Sequence, residues 1–167
     1  MGREIRRVPP YWEHPVDNNG EYLPMYDMDF ETAANKWVDN CIQWNNGTHK
    51  DFIEHPEYKI EYPYFWQWGG NPPDEEYYRP KFTEEPTWYQ VYQTVSEGTP
   101  VSPPFATKEE LVNYLVEHGD FYDQSYGYGG WKRKNAESFV DSGWSPTGMI
   151  TNQGYVSARD IDLDDLK

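Results

Sequence analysis

The side chains of this sequence that could do chemistry are four histidines, one cysteine, one short basic cluster and a large excess of carboxylates. His49 and His55 flank Asp51 and Glu54, while His14 and His118 stand apart. No HExxH and no paired-cysteine spacing accompanies them, so no zinc site is expected. Asp160, Asp162 and Asp164 begin like a calcium loop, but the central glycine and terminal glutamate are missing, and a solvated acidic tail is expected instead. Cys41 sits among apolar neighbours in a helical pattern and reads as a small core residue; with no GxSxG motif either, nucleophilic catalysis has no signature. Gly127-Tyr128-Gly129-Gly130 opens no strand-to-helix turn and is followed by no GK[ST], so it reads as a turn and not a phosphate loop. Carboxylate pairs such as Glu84-Glu85 carry little specificity in so acidic a chain, and glycosidase chemistry would need such a pair held across a cleft. An enzyme therefore ranks last, and no cofactor is expected. Lys132-Arg133-Lys134 opens a predicted helix, the wrong end of the dipole for cations. It reads as a solvated turn or as a contact for a phosphate or an acidic partner.

The composition points to binding. The 167 residues carry 29 acids against 14 bases, a formal net charge of -15. Such a charge repels nucleic acid and anionic membranes and attracts basic surfaces, though it also serves plain solubility. The mean hydropathy of -1.01 would suggest disorder. The aromatic content of 18% predicts instead a folded chain with a core built of rings. From Pro10 to Arg79 there are 14 acids against 4 bases, or -10 of the total, interleaved with aromatic residues. Aromatic anchors ringed by charge are an interface composition. The candidate partner-binding residues are Asp27, Asp29, Glu31, Trp66, Trp68, Asp74, Glu75, Glu76, Tyr77 and Tyr78. The alternative is that the rings are core and the acids merely lie outside.

The elements that must hold these residues give an α+β reading: a small antiparallel sheet, about three helices and long ordered loops in a single domain. Residues 1–28 read as an extended arm anchored by Tyr11, Trp12 and Tyr22. A helix follows, capped by Asp29, with Phe30, Ala33, Ala34, Trp37, Cys41 and Trp44 at helical spacing, and it stops at Gly47. Residues 48–87, rich in proline and aromatics, predict no regular element. Trp88–Val95 is the clearest strand, and Val101–Ala106 can return as a short edge segment. Thr107-Lys108-Glu109-Glu110 is a capping box opening a second helix, which buries Leu111, Val112, Leu115 and Val116 and stops at Gly119. A third helix spans Arg133 to Ser142 and ends at Gly143. Residues 151–167 read as a tail, frayed at its end. One cysteine excludes an intramolecular disulfide. No apolar run has the length of a membrane span or follows the start as a signal peptide, so a cytoplasmic protein is expected. Asn46-Gly47-Thr48, a glycosylation sequon in form, then reads as a turn.

Several stretches resemble small, acidic, uncharacterised proteins of tailed phages and prophages. They are Arg6-Arg7-Val8-Pro9-Pro10-Tyr11-Trp12-Glu13-His14-Pro15, Gly70-Asn71-Pro72-Pro73-Asp74 with Tyr77-Tyr78-Arg79-Pro80, and Val95–Pro103. Phe105-Ala106-Thr107 with Glu110-Leu111, and Gly143-Trp144-Ser145-Pro146, complete the resemblance. Lys132 departs from it, standing where a capping serine is expected. The resemblance implies a setting, counter-defence, and transfers no functional residue. With the charge, it leads to a non-enzymatic inhibitor of a host defence system, a CRISPR effector or restriction nuclease, acting in the bacterial cytoplasm. Its acidic aromatic surface would imitate nucleic acid towards a basic partner surface, without binding nucleic acid or membrane. The alternatives are a small-ligand or nucleotide binder, with Lys132, Arg133 and Lys134 taking phosphates, and a virion or assembly component.

Overall fold

The computed structural model describes residues 2–95, 97–152 and 154–161. In chain order the elements are β1 (Gly2–Val8), β2 (Tyr26–Asp29), α1 (Phe30–Asn46), α2 (Asp51–Glu54), α3 (Tyr58–Glu61), α4 (Phe65–Gly69) and a 3-10 turn (Glu75–Tyr77). There follow β3 (Tyr78–Arg79), β4 (Trp88–Gln93), β5 (Thr99–Pro100), α5 (Lys108–His118), α6 (Phe121–Ser125), α7 (Arg133–Ser142), β6 (Trp144–Pro146), β7 (Gly148–Thr151) and β8 (Gly154–Ser157). The fold is α+β, as expected, with the three longer helices where the sequence puts them. By its internal contacts the chain divides into two compact units, Met1–Asp27 with Phe82–Lys167, and Met28–Lys81.

The first unit is built on a four-stranded antiparallel sheet in the order β5-β4-β1-β6. The expected arm is therefore corrected: its first residues form β1, an inner strand of the sheet, in register with β4 through Ile5 opposite Val91. The strand is hard to read because Arg3 and Arg6 are both buried. Residues three apart on a strand face opposite sides, so each arginine needs its own partners. Arg6 ion-pairs with Glu4 at 2.6 Å and donates to the carbonyls of Met25 at 2.7 Å and Glu97 at 2.8 Å. On the other face Arg3 pairs with Asp120.

On that second face Ile5, Tyr89 and Val91 pack against Leu111, Val112 and Leu115 of α5 and Ala136, Phe139 and Val140 of α7. The capping box of α5 forms as read, with Thr107 Oγ1 accepting from Glu110 N at 3.2 Å. Gly130 crosses so close to the end of α5 that an added Cβ would lie 1.8 Å from the Val116 carbonyl oxygen. Residues 9–25 cover the Arg6 face. There Trp12 Nε1 donates to the Tyr92 hydroxyl at 3.3 Å, and the buried His14 lies 3.1 Å from the same hydroxyl. Of the expected anchors, Trp12 is half-buried, whereas Tyr11 and Tyr22 are exposed, Tyr11 lying against Trp88 at 4.6 Å between ring centres.

The tail reading is also corrected. Gly148–Thr151 and Gly154–Ser157 pair antiparallel as β7 and β8. The Asn135 amide then donates to the carbonyls of Ala158, Arg159 and Ile161, pinning the chain that follows. Asp162, Asp164 and Asp165 lie outside the described residues.

The second unit is α1, the short helices α2, α3 and α4, and the 3-10 turn; β2 and β3 pair where the chain enters and leaves it. Asp29 caps α1 and Gly47 ends it in the left-handed region, both as read. Along the expected buried stripe only Ala33 and Trp44 are buried, and Cys41 is half-exposed. The segment expected to be irregular supplies the missing packing. Trp44 holds His49, Phe52 and Phe65 at 5.2, 4.4 and 5.7 Å between ring centres and donates to the Tyr62 carbonyl at 2.7 Å.

Candidate functional sites

The residues singled out from the sequence fall into two groups. Asp27 and Asp29 are on β2, Glu31 opens α1, and Tyr78 is on β3, which pairs with β2. Asp74 caps the turn formed by Glu75, Glu76 and Tyr77, accepting from Glu76 N at 3.2 Å. All except Asp29 and Tyr78 are exposed. Asp29 has a local task, accepting from Thr32 N at 3.0 Å and Thr32 Oγ1 at 2.9 Å, and these bonds hold its carboxyl below the usual aspartate range. Glu31 pairs with Lys81 at 2.8 Å, which raises the lysine pKa.

Trp66 and Trp68 are instead on α4, beside Phe65, which packs against Trp37 and Trp44 of α1. Trp68 is braced by Tyr58 and Tyr62, at 4.4 and 5.4 Å between ring centres, and donates to Asp51 Oδ2 at 3.0 Å. Trp66 is 52% exposed. Ile53 on α2 and Ile60 on α3, 84% and 85% exposed, were not among the expected contact residues. Asp51, Glu54, Glu57 and Glu61 are interleaved with them in sequence. The signal was present, since an isoleucine in a strongly acidic run has few core positions to occupy.

The acidic charge is not concentrated in this unit. Residues 28–81 carry ten acids against five bases, net -5, leaving -10 on the first unit. The stretch from Pro10 to Arg79 is more acidic because it includes Glu13, Asp17, Glu21 and Asp27, which belong to the first unit, and omits Lys81, which belongs to the second.

The first unit holds a cavity of about 470 Å³ whose walls come from β1, β4, α6 and the β7–β8 hairpin. Tyr122, Tyr126, Tyr128 and Tyr155 line it, with Arg3, Asp123, Arg159 and Asp160. Asp120 and Asp123 form a reciprocal cap at the start of α6, each backbone N–H held by the other's carboxylate. Asp123 Oδ2 also accepts from Trp131 Nε1 at 2.8 Å. Its Oδ1 lies 3.9 Å from Arg3 Nη2 and 3.7 Å from Arg159 Nη1, beyond hydrogen-bond length for both. Burial pushes the Asp120 carboxyl above the usual aspartate range, although Arg3 beside it pulls the other way. The sequence spacing Asp120-x-x-Asp123 after a glycine was the legible trace of this site; the buried arginine beneath it was not.

The basic cluster does not line the cavity. Lys132 donates to the Asp160 carbonyl at 3.2 Å, and Arg133 is spent on Asn113 at 2.9 Å and Glu137 at 3.6 Å. Among the described residues no cluster of three or more potential metal ligands occurs, and no helix is long and apolar enough to cross a membrane. Comparison with protein-family models, curated proteins and solved structures gives no match for this chain.

Proposed function

We propose that the protein is a non-enzymatic binding protein whose second unit docks on a basic protein surface, and that the partner is a nucleic-acid-handling host defence complex such as a CRISPR effector or restriction nuclease. The observation that carries this reading is the imbalance of that unit. It buries two apolar side chains, Ala33 and Trp44, and exposes Val38, Ile42, Ile53, Ile60, Tyr64 and Trp66. Exposed apolar side chains gathered on one small unit mark an interaction surface. The net negative charge of the unit and of the whole chain favours a basic occupant by charge complementarity. The phage-like motifs supply the defence setting.

The test is inhibition of DNA cleavage by a panel of purified CRISPR effectors and restriction nucleases. One of them should lose activity near stoichiometric protein, and inhibition should weaken as salt rises from about 0.05 to 0.3 M. Replacing Ile53 and Ile60 together by serine should weaken inhibition by about tenfold or more without lowering the melting temperature. A panel left fully active, or inhibition indifferent to the double substitution, would remove the reading.

A further inference from the structure

The cavity of the first unit is unused by the docking surface, and its lining has a specific character. Four tyrosines offer ring faces, and three of them, Tyr126, Tyr128 and Tyr155, are 70%, 53% and 66% exposed. Exposed rings lining one cavity offer apolar area that a planar ligand can cover. Tyr126 and Tyr128 lie 5.8 Å apart between ring centres, and the Arg159 guanidinium already covers Tyr128 at 4.3 Å.

The polar groups of the cavity are incompletely satisfied. Arg3 spends Nε on Asp120 and turns Nη2 towards Asp123, but its buried Nη1 has no hydrogen-bond partner among the described residues. The Trp131 ring, 5.5 Å from Arg3 Cζ, offers only a weak cation–π contact. The Asp123 carboxylate oxygen Oδ1 sits between two guanidinium groups that it does not reach. Arg159 is already bonded, to Asp160 at 2.9 Å and to the Gly129 carbonyl at 3.3 Å. The open positions are therefore one carboxylate oxygen of Asp123 and one guanidinium nitrogen of Arg3, a donor–acceptor pair that matches the edge of a nucleobase, where N–H groups and ring acceptors alternate.

The charge balance decides against a phosphate. The two cations of the lining, Arg3 and Arg159, are met by Asp120, Asp123 and Asp160, so the lining carries no surplus positive charge. The volume of about 470 Å³ falls in the range of sites for small organic ligands. We infer that this cavity binds a neutral purine nucleoside, its base stacked on the tyrosine wall and its edge set against Asp123 and Arg3.

Calorimetric titration of the intact protein with guanosine, adenosine and their 5′-monophosphates tests this. At least one nucleoside binds with a Kd of about 100 μM or lower, and its monophosphate binds no tighter. Tyr126→Ala, at an exposed position, weakens that binding about tenfold or more while the melting temperature of the free protein stays put. Tyr126→Phe, which keeps the ring, binds within about threefold of the parent. Absence of binding by both nucleosides at about 1 mM would overturn the assignment. So would a monophosphate binding more than tenfold tighter than its nucleoside, or a Tyr126→Ala variant that binds as well as the parent.

Discussion

At the scale of single residues, His14 shows how a buried polar group is settled by its partners. A carbonyl only accepts, so Nε2 carries the proton that bridges 2.7 Å to the Leu23 oxygen. Nδ1 of the neutral ring is then an acceptor facing the Tyr92 hydroxyl, whose single proton is also within 3.2 Å reach of Gln90 Oε1. Burial is the largest influence on this ring and lowers its pKa below the ordinary histidine value; the Leu23 bond opposes it and Arg6 adds to it. A depressed folded-state pKa means the unfolded chain takes up the proton first. His14 therefore contributes full stability above about pH 6.5, and that contribution is lost as pH falls through the folded value. Asp120 works in the opposite sense, because its raised pKa makes the charged form costly in the folded state and relieves that cost as pH falls. Comparing His14→Gln with the parent isolates the histidine. Between pH 7.5 and 5.5 the parent should lose more melting temperature than the variant, and parallel melting curves would show that His14 does not titrate across this range.

At the scale of elements, α7 is the helix whose start is poorly made. Lys132 occupies the N-cap with no side-chain hydrogen bond, and the first turn of α7 has no acid. The α5 start, by contrast, has both halves of a capping box. Lys132→Ser supplies the missing acceptor and should stabilise the protein by about 1 kcal/mol in chemical denaturation. The bond it removes, from Nζ to the Asp160 carbonyl, is exposed and offsets little of that gain. Unchanged stability would mean that the α7 terminus is fixed by Asn135 and the chain it holds instead. The contrast explains what was legible in the sequence. Elements whose signals are local were readable: the Thr107–Glu110 box, the Asp29 cap, the aromatic strand at Trp88 and the Gly47 and Gly143 stops. Elements defined by distant partners were not. β1 reads as a polar arm because the groups that let its arginines be buried are mostly distant: Asp120, 117 positions from Arg3, and the carbonyls of Met25 and Glu97, which accept from Arg6 beside its local ion pair with Glu4. The ring cluster of Trp44 with His49, Phe52 and Phe65 likewise needs tertiary contacts before its short helices make sense. The cavity draws its walls from β1, β4, α6 and the last hairpin, so no single stretch of sequence announces it.

At the scale of the whole molecule, the charge and the contact residues have separate tasks. The net charge of -15 is shared by the two units roughly in proportion to their size, so it sets a long-range field and not a patch. Under the proposed docking, such a field would raise the association rate with a basic partner and be screened by salt, whereas Ile53, Ile60 and Trp66, which are exposed, would act only at contact and so govern dissociation. The two units can then be separated by what each does. Paired strands lie about 4.8 Å apart, so the β2–β3 ribbon brings the two ends of the second unit together, and a short linker can span them. Replacing Phe30–Tyr77 by a few Gly and Ser residues leaves β1, β4, α5 and α7 with every core contact they have now. The shortened chain should keep its near-ultraviolet circular dichroism from Trp131 and melt within about 5 °C of the parent. It should still bind the nucleoside in the tyrosine-lined cavity and should no longer inhibit the nuclease. Loss of cooperative melting in that chain would show that the first unit does not stand alone, and retained inhibition would move the docking surface out of the second unit.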